Sequence, residues 1–192
     1  MDAMLPDDNE VDLINRARTD PEAFGQLYER YVERIYNYIY FRVGNVEDAE
    51  DLTAKVFMKA LNAIGGYRHM GLPFSAWLYR IAHNQVANFH RDHSRITEIP
   101  IDQLELPALS QKMTMPEINA LHDQEAACLL RLVQDLPDDK RELVLLKVVH
   151  DLSNQEIGAI LNRSESAIKS LYHRTLLELR ESMRLQGLDR NE

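Results

Sequence analysis

The sequence predicts an all-α protein, two small helical domains joined by a flexible linker. Three observations predict it. Apolar residues recur at helical spacing through long stretches of the chain. Gly and Pro are sparse, seven each in 192 residues, and no stretch alternates as a half-buried strand would. Between residues 96 and 116 the periodicity fails, and Pro100, Pro107 and Pro116 fall among scattered acids, the composition of a tether. The expected organisation is an acidic segment 1–20, a first domain 21–95, a linker 96–116, a second domain 117–186 and a tail 187–192.

The first helix is expected over residues 24–43. Phe24, Leu27, Tyr28, Tyr31, Val32, Ile35, Tyr36, Ile39 and Val43 make a broad apolar face, and Gly44-Asn45 ends it. The next runs through "VEDAEDLTAKVFMKALNAI". Acids crowd its start, where the helix dipole favours them, and Leu52, Val56, Phe57, Ala60, Leu61 and Ile64 share one side. Gly65-Gly66 stops it. After the loop "YRHMGLP", Pro73 suits the first turn of a helix over 74–93. That helix buries Phe74, Trp77, Leu78, Ile81, Ala82, Val86 and Phe89, and shows Arg80, His83, Asn84, Asn88 and Arg91 on its other face. In the linker, Ile99, Ile101, Leu104 and Leu106 fit either an extended, partner-bound strand of chain or free coil. Further helices are expected at 117–135, 138–149, 153–161 and 165–185.

The stretch "LSNQEIGAILNRSESAIKS" reads as two short helices around a tight break. Ser153 and Glu156 form an S-x-x-E capping box. Ile157, Ile160 and Leu161 face inward, and Gly158 lies where a close crossing needs no side chain. Asn162 tolerates the left-handed turn conformation, and Ser164 caps the second helix. Ala167, Ile168, Leu171, Tyr172 and Leu176 pack back. Glu165, Ser166, Lys169, Ser170, His173 and Arg174 are left outside, a face suited to the major groove. Lys169 and Arg174 fit bases or phosphates, and Arg163 in the turn fits a backbone phosphate. An ordinary helical hairpin would share the apolar pattern; the cap, polar turn and basic outer face favour DNA.

The net charge of −9 is unevenly spread. Residues 1–20 sum to −4 and 96–136 to −5, while 67–95 sum to +3. A basic island between acidic tracts discourages indiscriminate phosphate binding. On the third helix, aromatics, amides and arginines together suit unstacked bases and strand backbone, although Trp77 and Phe89 at helical spacing read as core. Cys128 is the one cysteine, so no internal disulfide and no Cys-type zinc site is expected, and its apolar helical context reads as core. No apolar run of membrane-spanning length occurs and the N-terminus lacks a signal pattern, so a cytoplasmic protein with no membrane insertion is expected. His83, His90 and His93 near one helix face allow a His-only metal site to be imagined, but no carboxylate completes it. No cofactor, metal or catalytic residue is expected.

Three stretches in order, "DAEDLTAKVFMKA", "FSAWLYRIAHNQVANFHRD" and "LPDDKRELVLLKVVHDLSNQEIGAILNRSESAIKSLYHR", resemble bacterial sigma factors of the sigma-70 family, most of all the extracytoplasmic-function (ECF) group. The resemblance covers about residues 20–95 and 120–182. It implies a first domain (region 2) that docks on the β′ clamp helices of core RNA polymerase and captures an unpaired base of the −10 element. It implies a second domain (region 4) that reads the −35 element of promoter DNA and contacts the β flap, with the linker inside the polymerase. Polymerase docking falls on Asp48, Asp51, Leu52, Thr53, Val56 and Phe57. Base capture falls on loop 67–73, including Tyr67 and Arg68, with Phe74, Asn84 and Asn88; strand contacts fall on Arg80, His83, Arg91 and Arg95. Upstream promoter reading falls on Arg163, Ser166, Lys169, Ser170, His173 and Arg174. An anti-sigma factor is implied as a further partner.

The chain departs from the family pattern at three places. Ala54 and Lys55 stand where Gln and an acid are usual, Leu171 stands where Arg is frequent, and Asn88 stands where Asp is frequent. Two other readings share the motifs: a helix-turn-helix regulator acting without polymerase, for which no dimer seam is visible, and a sigma mimic that only sequesters an anti-sigma factor.

Overall fold

In the computed structural model the described residues are 8–69, 71–94 and 131–185, and every regular element among them is helical. They belong to two compact units. The linker, Arg95, residues 117–130 of the helix expected over 117–135 (Cys128 among them), Met70 of loop 67–73 and the tail lie outside the described residues.

The first unit opens with a helix that charge alone hid. Helix α1, Asp8–Arg16, lies within the segment expected to be only an acidic leader. Leu13, Ile14 and Ala17 form a short buried stripe, and α1 packs on the next helix. Glu10 is buried with them. Its carboxylate accepts the Tyr31 hydroxyl and lies 3.6 Å from Arg30 Nη1. Burial, and then Glu10, push the Tyr31 hydroxyl well above the usual tyrosine range.

Helix α2, Pro21–Val43, starts at Asp20, whose side chain accepts the Glu22 N–H at 2.9 Å. It stops at Gly44, whose φ of 71° closes the Tyr40 carbonyl. Helix α3, Val46–Ala63, is capped by Asn45 and runs into a 3-10 turn, Ile64–Gly66. Helix α4, Phe74–Ser94, completes the bundle, with α2, α3 and α4 in mutual contact. The buried set departs from the expected faces in a few places. Tyr28 and Leu61 are exposed, while Ala49, Tyr38 and Tyr79 are fully buried, the last two edge-on to each other at 5.4 Å. Trp77, Ile81 and Phe89 are only partly buried.

In the second unit, Leu132, Leu136 and Leu179 form a buried cluster, with Val133, Val144 and Met183 against it. Helix α5, Asp138–Val144, does not continue to 149 as an α-helix. It widens into a π-type turn, Leu145–Val149, in which the His150 N–H reaches back to the Leu145 carbonyl at 3.2 Å. The extra residue lets Leu145 and Leu146 both be buried while Val148 and Val149 stand in solvent. Helices α6, Asn154–Leu161, and α7, Glu165–Leu185, follow. Among the described residues no helix is long and apolar enough to cross a membrane.

Candidate nucleic-acid interface

The α6–α7 pair is built as its sequence dictates. The Ser153 N–H donates to Glu156 Oε2 at 2.6 Å and the Glu156 N–H to Ser153 Oγ at 3.2 Å, a complete capping box. Asn162 takes φ 54° in the turn, and Ser164 Oγ accepts the Ala167 N–H at 3.2 Å. Gly158 makes the break tight: its carbonyl accepts the Arg163 N–H at 2.9 Å, and a Cβ there would lie 2.6 Å from the Arg163 carbonyl oxygen. The glycine therefore serves the turn's own backbone rather than a crossing of helices.

Ile157, Ile160, Ile168 and Leu171 are buried beneath this turn. Ala167 and Leu176, expected to pack back, are exposed, and Thr175 and Leu179 take their places. Ser166, Lys169, Ser170, His173 and Arg174 are all exposed along α7, as the major-groove reading requires. Arg163 is not a free cation: its Nη2 lies 3.4 Å from Asp139 Oδ2 on α5. Leu171, where an arginine would add a contact, is buried instead of facing out.

In the first unit, α4 carries a solvent stripe. Arg80, Asn84, Asn88 and Arg91 recur at spacings of four, four and three, with His83 beside them. Arg80, Asn84 and Arg91 are exposed, and Asn88 and His83 are partly so. Arg91 Nε lies 3.4 Å from Asp92. Arg68 is exposed in the loop that approaches this helix. Tyr67, expected in the base-capture loop, is buried in the core, and Phe74 is buried as its helical spacing predicts: their rings lie 5.3 Å apart and edge-on, with Trp77 5.1 Å from Tyr67. Their apolar rings close the base of the loop rather than stand open to a base. Burial also raises the Tyr67 hydroxyl above the usual range.

On α3 the expected docking residues divide by phase. Leu52, Thr53, Val56 and Phe57 are buried, with the Thr53 hydroxyl donating to the Ala49 carbonyl at 2.6 Å. Their helical spacing puts them in the bundle core, so they hold α3 in place and offer little surface. Asp48 and Asp51 face outward, joined there by exposed Met58. Lys55, one of the departures, pairs with Asp51 across one helical turn. Among the described residues no group of three or more His, Cys, Asp or Glu could hold a metal ion.

Two family models match in chain order, sigma-70 region 2 over residues 27–96 and sigma-70 region 4 over residues 126–179. The ECF RNA polymerase sigma factor BldN of Streptomyces coelicolor is 36% identical over 170 residues, covering 88% of this chain and 64% of BldN. The RNA polymerase sigma factor YlaC of Bacillus subtilis is 30% identical over 164 residues, covering 84% of this chain and 92% of YlaC. This chain belongs to the ECF group of the sigma-70 family. The sigma factor RpoE of Bartonella quintana, solved in complex with the anti-sigma factor NepR, shares the fold with a TM-score of 0.67 at 21% identity, over 87% of this chain and 98% of RpoE. The match to BldN spans less than two thirds of that protein's length.

With the family known, the two faces of this ECF sigma factor fall under separate models. The α4 stripe lies within the region 2 match and the outer face of α7 begins within the region 4 match. Sequence reasoning missed α1 and the tyrosines Tyr38 and Tyr79. A signal for α1 was present in the spacing of Leu13, Ile14 and Ala17, but the surrounding acids outweighed it.

Proposed function

We propose that this chain is a promoter-selecting subunit: it binds core RNA polymerase through α3, opens and captures the −10 element along α4, and reads the −35 element with α7. The observation that carries the reading is the pair of exposed cationic and amide faces in a chain of net charge −9. One is on each unit: Arg80, Asn84, Asn88 and Arg91 on α4, and Ser166, Lys169, Ser170, His173 and Arg174 on α7. Each face is too small to hold DNA unaided. Phosphate attraction supplies most non-specific affinity, and the acidic tracts oppose it. Two weak readers carried on one large enzyme gain avidity of about 10²–10⁴-fold when both sites are engaged.

Polymerase docking rests on Asp48, Asp51 and their exposed neighbours on α3, at the β′ clamp helices, and the second unit contacts the β flap. The chain acts in the cytoplasm and catalyses no step itself; the polymerase makes RNA. An anti-sigma factor, the kind of partner with which RpoE of Bartonella quintana was solved, would compete for these same faces.

The test is reconstitution with core polymerase. Promoters are selected from a random DNA library, and transcripts are scored for the wild type and for a variant with Asn84, Lys169 and Arg174 all changed to alanine. The wild type should bind promoter weakly alone and direct accurate starts in the holoenzyme, and the triple variant should lose them. Accurate initiation that survives the triple change, or tight sequence-specific binding by the isolated chain, refutes the reading.

A further inference from the structure

The turn between α1 and α2 carries an arginine that the promoter contacts leave unused. Arg18 donates from Nη2 to the main-chain oxygen of Tyr67 at 2.8 Å, joining positions 49 residues apart. Tyr67 is the residue from which the loop 67–73 departs. Its N–H donates to the Ile64 carbonyl at 3.0 Å, and its ring is wedged between Phe74 and Trp77. The arginine therefore completes the fixing of this residue by holding the remaining backbone group, the carbonyl that points the chain into the loop.

Arg18 is exposed, but the turn that carries it is fixed. Ala17 beside it is buried, the Ala17 N–H donates to the Leu13 carbonyl, and the Asp20 N–H donates to the Arg16 carbonyl before Asp20 caps α2. The same corner holds a small, partly open pocket of about 30 Å³, bordered by Glu10, Ile14, Arg18, Tyr67 and His69. His69 belongs to the loop, so α1 and Arg18 stand directly behind it. Further along, Gly71 takes φ +77°, a bend that is useful only if the start of the loop is held in place.

We propose that Arg18 is a positioning residue for strand capture: by clamping the Tyr67 carbonyl it sets the direction in which the chain leaves Tyr67 through Arg68 and His69, toward an unpaired promoter base. This deepens the promoter-opening role above and rests on it. Without the clamp the Tyr67 carbonyl is held in one orientation for a smaller fraction of the time, and apparent affinity for the strand falls with that fraction. Binding to the polymerase and to the upstream duplex, made on other surfaces, does not depend on it.

The experiment uses the reconstituted holoenzyme, a promoter duplex selected with the wild-type holoenzyme, and that promoter's non-template −10 segment as a single strand. For Arg18→Ala the strand affinity and the opening rate should each fall about tenfold, the scale of a lost charge-assisted hydrogen bond. Core polymerase binding and upstream duplex binding should be unchanged. Arg18→Lys, which can still donate to the carbonyl, should recover most of the loss. Wild-type opening by Arg18→Ala overturns the proposal. So does a loss shared equally by core binding, or a lysine variant no better than alanine, since either marks general destabilisation. A wild-type chain that selects no promoter removes the sigma-factor reading and this proposal together, whereas a working wild type with an indifferent Arg18 removes only the latter.

Discussion

Replacing Gly158 by alanine should unsettle the second unit, against the usual rule. Alanine inside a helix normally stabilises by about 1 kcal/mol over glycine. Here the new methyl would meet the Arg163 carbonyl oxygen at 2.6 Å, with Glu165 N and Ser164 C at 3.6 Å behind it. All three are backbone atoms, so no side chain can swing aside. The turn has to open, which costs about 1–3 kcal/mol as overpacking. Opening it also strains the Arg163 N–H to Gly158 bond, worth about 1 kcal/mol. After the propensity gain is subtracted, a net loss of about 1–3 kcal/mol remains, or a fall of about 5–20 °C in melting temperature for a domain of this size. Far-ultraviolet circular dichroism follows both units, while the single tryptophan, Trp77, reports the first. The loss should therefore appear in the dichroism as an earlier transition. Gly158→Ala melting at or above the wild-type temperature would refute the reasoning, because the turn would then have room that the geometry denies.

Ser153→Ala removes one half of the capping box and should cost about 1 kcal/mol, read by denaturant unfolding. Adding Glu156→Ala should cost less than the sum of the single changes, because the two bonds form one box. Asp139→Asn frees Arg163 and removes an acid beside the proposed upstream-reading face. Stability should change by less than about 1 kcal/mol, the pair being exposed. Holoenzyme binding to the upstream element should tighten and its salt dependence steepen by about one counterion. Alkaline pH should unfold the first unit through its buried phenols. Burial raises Tyr79 to about 12, with Arg34 opposing, and raises Tyr31 in the same direction. A raised value means that the native state favours the protonated hydroxyl, so this stability is whole below about pH 10, the free tyrosine value, and is lost from there upward through pH 12. Phenolate absorbance from Tyr31 and Tyr79 should appear only as helicity disappears, and Tyr79→Phe should shift the transition to higher pH.

What the sequence made legible was local. Gly44 as a stop, the Ser153–Glu156 box and the left-handed Asn162 each depend on residues within a few positions, and each stands as read, whereas Asn45, read with Gly44 as part of the stop, instead caps α3. What escaped was tertiary. Tyr38 is buried because Tyr79, from another helix, meets its ring, and nothing near position 38 announces that. Glu10 is buried in an acidic stretch because Tyr31 and Arg30 receive it. The docking residues of α3 were read from a motif that mixes core and surface. Periodicity alone places Leu52, Val56 and Phe57 inside, so the motif's outward chemistry narrows to Asp48 and Asp51. The packing face of α7 was read slightly out of phase: Ala167 and Leu176 were given to the core, but the buried line follows Ile168, Leu171, Thr175 and Leu179, where i, i+3, i+4 spacing is kept.

The widened turn Leu145–Val149 stores one residue beyond what an ordinary winding requires. Slack of that kind is a tolerance for change in chain length. Shortening the segment by one residue lets it rewind to normal pitch, whereas the same deletion inside α6 or α7 would rotate every later side chain by about 100°. The α6–α7 pair is therefore insulated from small edits upstream of it, and the spare residue leaves the exposed Val148 and Val149 as two adjacent positions that can vary while the pair keeps its placement.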